Sequence, residues 1–384
     1  MLNDVHTSAA TDFPALVDRC AVALGLDRVV VYLADLQQRY LVPIGEDRTA
    51  FGVDCSPAGW AYRTLSLRVE EAPPDVLTVW LPLVDGAERL GVLGVRGATV
   101  DSSYLRRCRI VASLLATVIT STRAYSDSLV RHVRTEPMQL PAEMLRAFLP
   151  PRTIGNPQVI STAVLEPAYQ LGGDGFDHSL TRTTLHATIL DAMGHDLASG
   201  LTTSVALAGC RNARRTGSSL QALVETVDDA LATWLPDQFC TGILAQLDLA
   251  SGTLRWVNCG HPPPLLIRDQ RVLEHALEGT AQPPMGYPAQ FLKEPRTVHE
   301  RVLEPGDRVL LYTDGVTESR VADGELFGMK RFTDSIIRAT AAGELPSEAL
   351  RRLIHALLDN ERSRLNDDAT ILLIEWRPAR PGPA

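Results

Sequence analysis

Lysine is almost missing from this chain: Lys293 and Lys330 are the only two among 384 residues, and arginine supplies the remaining positive charge. The formal net charge of −9 argues against a phosphate-backbone binder, because nucleic-acid affinity rests on a basic face that neutralises phosphates. Nucleic acid is therefore not an expected partner. The six cysteines, Cys20, Cys55, Cys108, Cys210, Cys240 and Cys259, are scattered and form no Cys-x-x-Cys pair. That excludes a structural zinc framework and points to reduced thiols in a cytoplasm. No cysteine is followed six positions later by arginine, and neither Gly-Lys-Ser/Thr nor His-Glu-x-x-His occurs. A cysteine-phosphatase loop, a nucleotide P-loop and a zinc-protease helix are all missing. The N-terminal residues, with Asp4, His6 and Asp12, lack a basic region followed by an apolar run, and Val111–Thr120 is too short to span a bilayer. The expected place is the cytoplasm, with no membrane partner.

What is present suits two domains, each long enough to bury its own core, in a chain that is 45% hydrophobic and 22% charged. The first half reads as a small α+β unit. Val29–Leu33 and Leu77–Val95 are β-branched runs, the second broken at Asp85-Gly86 as in a hairpin, and Tyr104–Ile119 has helical spacing. Residues 12–123 are expected to form this domain. Residues 124–150, polar and helical with Pro137 and Pro141, read as a linker that could also carry a homodimer contact. Residues 151–378 then switch to strands punctuated by acidic turns, with helical periodicity at Leu197–Arg215, Ser218–Leu235, Lys330–Thr340 and Ser347–Asp359. Strands and helices in separate runs predict a sandwich of antiparallel sheets rather than a doubly wound fold.

Four acidic turns lie at strand ends. Gly172-Gly173-Asp174 follows Ile160–Leu165, Asp191-Ala192-Met193-Gly194-His195 follows Leu185–Leu190, and Thr313-Asp314-Gly315 follows Arg308–Tyr312. Asp367-Asp368-Ala369-Thr370 precedes Ile371–Trp376. One Asp-Gly is ordinarily a turn; four that can converge form a carboxylate cluster that repels itself unless cations neutralise it. Oxygen ligands without paired histidines or thiolates suit magnesium or manganese rather than zinc or copper. With no protein nucleophile in sight, water is the expected attacking group.

These segments, together with Asn258-Cys259-Gly260-His261-Pro262 and Leu311-Tyr312-Thr313-Asp314-Gly315, resemble in order the signatures of stage II sporulation protein E-type phosphatases, within the type 2C metal-dependent serine/threonine phosphatases. The resemblance covers roughly Pro141 to Arg377. It implies an α-β-β-α sandwich, overall α+β, that hydrolyses a phosphoserine or phosphothreonine ester with a metal-bridged water and two manganese or magnesium ions. By motif it makes Asp174, Asp191, Asp314 and Asp367 ligands and catalytic acids, adds the Ala192 carbonyl, and leaves Asp368 as a ligand or an orienting group. His195 is a candidate general acid weighed against a packing role, and His261 is expected to shape its loop. Two residues depart from the pattern: Gly175 stands where an aromatic is usual, and Asp196, where a glycine is usual, can cap the helix that follows. No arginine is identified as a phosphate clamp, Glu318 and Arg320 being undecided. The N-terminal domain resembles a GAF domain more weakly, through Gly59-Trp60-Ala61-Tyr62, Leu81-Pro82-Leu83 and Gly91-Val92-Leu93-Gly94-Val95, which leaves a small-molecule ligand open. Family analogy makes the substrate a phosphorylated anti-sigma factor antagonist. Two rivals remain: a diguanylate cyclase, which leaves Asp191, Asp314 and Asp367 unexplained, and a catalytically silent or switched-off binding module with the same fold.

Overall fold

The computed structural model describes residues 13–45, 49–72, 76–170, 172–194, 196–280, 282–287, 295–319, 326–360 and 367–378. The chain divides into one unit ending at Pro137 and another beginning at Met138, a boundary that falls within the 124–150 stretch.

In the first unit, strands β1 (Arg28–Ala34), β2 (Tyr40–Pro43), β3 (Phe51–Gly52), β4 (Arg68–Ala72), β5 (Val76–Asp85) and β6 (Glu88–Gly97) make one antiparallel sheet in the order β3-β2-β1-β6-β5-β4. Helices α1 (Phe13–Ala23), α2 (Pro57–Thr64), α3 (Ser102–Arg123) and α4 (Asp127–His132) accompany it. The expected hairpin joins β5 to β6. Because side chains alternate between faces, β1 buries Val29, Val31 and Leu33 on one side and Val30 and Tyr32 on the other. Helix α3 begins where Asp101 accepts the Tyr104 N–H at 2.7 Å, and its Cys108, Val111, Leu115 and Ile119 form the stripe that covers the first side. Helix α2 covers the second with Ala58, Ala61 and Tyr62.

The second unit opens with α5 (Leu140–Phe148). Two sheets follow. One is ordered β15-β12-β11-β10-β9, from β9 (Asp174–Leu180), β10 (Thr184–Ala192), β11 (Cys240–Asp248), β12 (Thr253–Cys259) and β15 (His299–Val302). The other is ordered β14-β13-β16-β17-β8-β7, from β7 (Thr153–Asn156), β8 (Val159–Glu166), β13 (Leu265–Arg268), β14 (Arg271–Leu273), β16 (Arg308–Tyr312) and β17 (Ala369–Trp376). The period-two rule stacks them. Leu185, Ala187 and Ile189 of β10 meet Leu372, Ile374 and Trp376 of β17 in a core between the sheets. The opposite face of the first sheet carries Leu190, Leu244 and Val257 against α6 (Leu197–Arg215) and α7 (Leu220–Trp234). The outer face of the second carries Leu310, Ile371 and Leu373 against α9 (Gly328–Ala341) and α10 (Pro346–Asn360), while α8 (Asp314–Glu318) continues from β16. The unit is an α-β-β-α sandwich, and the whole chain is α+β, as the sequence indicates. Among the described residues no helix is long and apolar enough to cross a membrane.

Candidate metal centre

Antiparallel pairing of β9 with β10 sets Asp174 directly opposite Asp191, so two like charges face each other across one ladder. From the other sheet, β16 runs into Thr313 and Asp314, and the chain enters β17 through Asp367 and Asp368. One sheet therefore supplies two of the acids and the other supplies three. Their burial is graded: Asp174 and Asp368 are buried, Asp191 is half-buried, and Asp314 and Asp367 are exposed.

Burial and neighbouring charge act on four of these acids. Burial, then the charges of Asp314, Asp367 and Asp368, push Asp191 up to about 7. Asp174 is raised well above the usual carboxylate range by burial and by Asp191 and Asp368. Burial and Asp367 raise Asp314. Asp368 rises to about 6, chiefly through burial, although backbone N–H groups oppose the rise. Asp174, Asp191, Asp314 and Asp368 are thus costly to ionise in this setting, and a cation offsets that cost. Among the described residues no three His, Cys, Asp or Glu side chains surround a common point as ligands of one ion do. The fit to a divalent cation rests on donor chemistry: hard oxygens, mutual repulsion and no competing soft ligand.

The loop carrying Asp174 is held from two sides. Asp368 Oδ2 accepts the N–H groups of Gly172, Gly173 and Asp174 at 2.7, 2.8 and 3.2 Å. Asp368 is thereby an orienting group for the Gly-Gly-Asp turn. From α6, the Thr203 hydroxyl donates to the Gly173 carbonyl, and the Ala192 N–H donates to the same oxygen at 3.2 Å. A side chain at Gly175 would put its Cβ 2.6 Å from the Thr203 methyl, so this strand position excludes the usual aromatic unless α6 moves. Asp196 caps α6, accepting the N–H groups of Ala198 and Ser199 at 2.9 and 3.0 Å.

His261 is buried and bridges the two sheets. Its Nε2 meets the Tyr312 carbonyl at 3.0 Å and its Nδ1 meets the Thr241 hydroxyl at 2.9 Å. A carbonyl can only accept, so Nε2 carries the proton and Nδ1 accepts from Thr241. Burial drives its pKa down to about 4, keeping the ring neutral. The Asn258 side chain binds both the N–H and the carbonyl of His261 at 2.8 Å, which gives the loop-shaping role a geometry. His195 and Arg320 lie outside the described residues. Glu318 is exposed on α8.

Sequence reasoning passed over the hydroxyls. Thr203, Thr313 and Thr370 all hydrogen-bond within the Asp174 loop or to Asp174 itself. The signal was available in Thr313-Asp314-Gly315 and Asp368-Ala369-Thr370, where only the acids were read. Asp177 is a second omission. Its buried carboxylate pairs with Arg211 and Arg214 of α6, each at 2.7 Å, tying β9 to that helix.

Comparison with known proteins gives a consistent set of likenesses. The family model for Stage II sporulation protein E (SpoIIE) matches residues 181–377, so the Gly172-Gly173-Asp174 turn lies ahead of the matched span. The phosphoserine phosphatase RsbP of Bacillus subtilis is 28% identical over 229 residues, covering 58% of this chain and 53% of that protein. Protein IcfG of Synechocystis is 27% identical over 154 residues, covering 39% of this chain and 23% of that protein. The chain thus spans about half or less of the length of these curated relatives. Among solved structures, the SiaA-PP2C domain of Pseudomonas aeruginosa superposes with a TM-score of 0.52 at 24% identity, covering 61% of this chain and 94% of that domain. The RsbU and RsbW domains of Rv1364c from Mycobacterium tuberculosis give 0.50 at 24% identity, covering 60% of this chain and 63% of that one. These two structures share the fold.

Proposed function

The chain belongs to the stage II sporulation protein E family, and on that premise we propose that it is a metal-dependent protein serine/threonine phosphatase. The observation that carries this reading is the gathering of Asp174, Asp191, Asp314, Asp367 and Asp368 from strand ends of two sheets, where burial and neighbouring carboxylates disfavour the ionisation of Asp174, Asp191, Asp314 and Asp368. Asp174, Asp191, Asp314 and Asp367, with the Ala192 carbonyl, would hold manganese or magnesium, two ions by the family resemblance. The chemistry such ions supply when bound is Lewis acidity toward a phosphoryl oxygen and acidification of water.

The chain's own residues do the holding. Asp368 fixes the backbone that presents Asp174, and His261 joins the end of β16 to β11 so that Asp314 and Asp191 keep their spacing. Met193, Leu197 and Leu201 stand exposed beside these loops, which favours a protein substrate over a small polar ester. The proposed substrate is a phosphoserine or phosphothreonine on an anti-sigma factor antagonist in the cytoplasm. The printed name of the Bacillus relative, a phosphoserine phosphatase, supports that chemistry. The first unit is proposed as a GAF-like regulator that answers a small molecule or a second copy of the chain through residues 124–150.

The test is direct. The purified 384-residue chain with manganese is expected to hydrolyse p-nitrophenyl phosphate, to lose that turnover to chelator, and to release phosphate from a phosphorylated antagonist protein. Manganese-loaded protein that cleaves neither compound would make it a binding module instead.

Proton competition gives a second test. With Asp191 near 7, protons and metal compete for the same carboxylate. A raised carboxylate pKa means that the metal-free folded state binds extra protons below 7. Its contribution to stability is therefore lost as pH rises through 7, while the site becomes more available to a cation. The apparent manganese affinity, followed by calorimetry, is expected to rise about tenfold between pH 6 and pH 8 for that single displaced proton. A flat profile would mean that Asp191 meets no metal.

A further inference from the structure

Two buried hydroxyls converge on one carboxylate oxygen. Thr313 and Thr370 are fully buried, and each donates its hydroxyl hydrogen to Asp174 Oδ2 at 2.7 Å. The Thr313 hydroxyl also accepts the Thr370 N–H at 2.9 Å. Thr313 and Thr370 are backbone neighbours as well, since the Thr313 N–H reaches the Thr370 carbonyl at 3.0 Å. A hydroxyl has one hydrogen and two lone pairs: one lone pair of Thr313 takes the Thr370 N–H, and its hydrogen is directed at Asp174. The threonines sit at the end of β16 and in β17, whereas Asp174 opens β9 in the opposite sheet. The contact is thus a polar fastening across the sandwich at the point where the acids gather.

We propose that Thr313 and Thr370 are positioning residues, a double hydroxyl clamp that fixes the orientation of the Asp174 carboxylate so that its other oxygen, Oδ1, is the one offered to a cation. The proposal rests on the metal-phosphatase reading and adds residues to it. Bonds from two donors on separate segments restrict rotation of the Asp174 carboxyl group about its last torsion, and they become charge-assisted once a cation favours its ionised form. A ligand held in this way loses less freedom on binding metal than one that swings. The clamp requires the hydroxyl in both segments: serine would keep it, and valine would keep the shape without it.

The two threonines are not equivalent, and that makes the idea testable. Thr370→Val removes one donor to Asp174. Thr313→Val removes a donor and also the acceptor of the Thr370 N–H. Valine matches the branched shape of threonine, and at Thr370, within β17, it also favours the strand. Manganese binding is measured by calorimetry on the whole 384-residue chain, its fold checked by circular dichroism. Thr370→Ser is expected to bind within about threefold of wild type, Thr370→Val to bind roughly 10- to 100-fold more weakly, and Thr313→Val more weakly again. A folded Thr370→Val that binds manganese as wild type does overturns the clamp, as does a Thr370→Ser as weak as the valine variant, which would make methyl packing the operative feature. Should Thr370→Val not fold, the same comparison of Thr313→Ser with Thr313→Val decides the matter. Wild-type protein that takes up no manganese overturns the metal reading itself, and the clamp with it.

Discussion

Replacing Asp191 with alanine is expected to lower manganese-supported hydrolysis of p-nitrophenyl phosphate by roughly a thousandfold in kcat/KM. Lewis-acid stabilisation by bound metal is worth several kcal/mol, and each 1.36 kcal/mol is a decade of rate. Asp191 is the acid through which the loss should be most complete, because its charge is felt from both sheets: it pairs with Asp174 in the β9–β10 ladder and is raised by Asp314, Asp367 and Asp368. The same substitution should leave the metal-free protein at least as resistant to urea as wild type, since it deletes a half-buried carboxylate held among like charges. Activity and stability should therefore move in opposite directions. Activity within tenfold of wild type in the folded variant would remove Asp191 from the site.

Gly315→Ala should damage the site from behind without replacing an acid. An added Cβ would sit 2.0 Å from the Asp368 carbonyl oxygen and 2.9 Å from its carbonyl carbon. Both are backbone atoms, so no rotamer change can relieve the contact and the chain entering β17 must shift. Asp368 holds the N–H groups of Gly172, Gly173 and Asp174, so its displacement carries to the opposite sheet. Overpacking of this kind costs about 1–3 kcal/mol, and a displacement of about 1 Å can cost roughly a hundredfold in rate. The expected result is a lower urea midpoint together with a loss of at least that size in kcat/KM. Wild-type values for both would mean that the Asp314 and Asp368 segments are not coupled through this contact.

How much of this could be read from the sequence depended on whether a strand was apolar. Helix α6 runs from Leu197 to Arg215, the span its periodicity indicates, and β10, β16 and β17 follow from their branched apolar runs. Strand β9 escaped. It reads Asp-Gly-Phe-Asp-His-Ser-Leu, so Asp174 looked like the tail of a turn after β8 when it is the first residue of a new strand. Asp177 and His178 are nonetheless buried because each has distant partners: Asp177 has Arg211 and Arg214, and His178 has the Ser161 hydroxyl and the Pro151 carbonyl at 2.9 and 2.7 Å. Hydrophobic patterning cannot report such pairings, which exist only after the sheets have stacked. The short strands β7, β13, β14 and β15 escaped for another reason, since three or four residues are too few to display a period. The acids themselves stood out by position, whereas the role of Asp368 required the fold, because its partners lie almost two hundred positions away in sequence.

The acids are divided between two sheets, with Asp174 and Asp191 in one and Asp314, Asp367 and Asp368 at the ends of strands in the other. Neither half of the sandwich owns a complete site, so there is no smaller fragment that could carry the chemistry and no stage of assembly at which it exists before the seam has closed. An ion seated there would act as a rivet through both layers. Loading and heat tolerance should consequently rise together, and material prepared without divalent ions would be softer as well as slower.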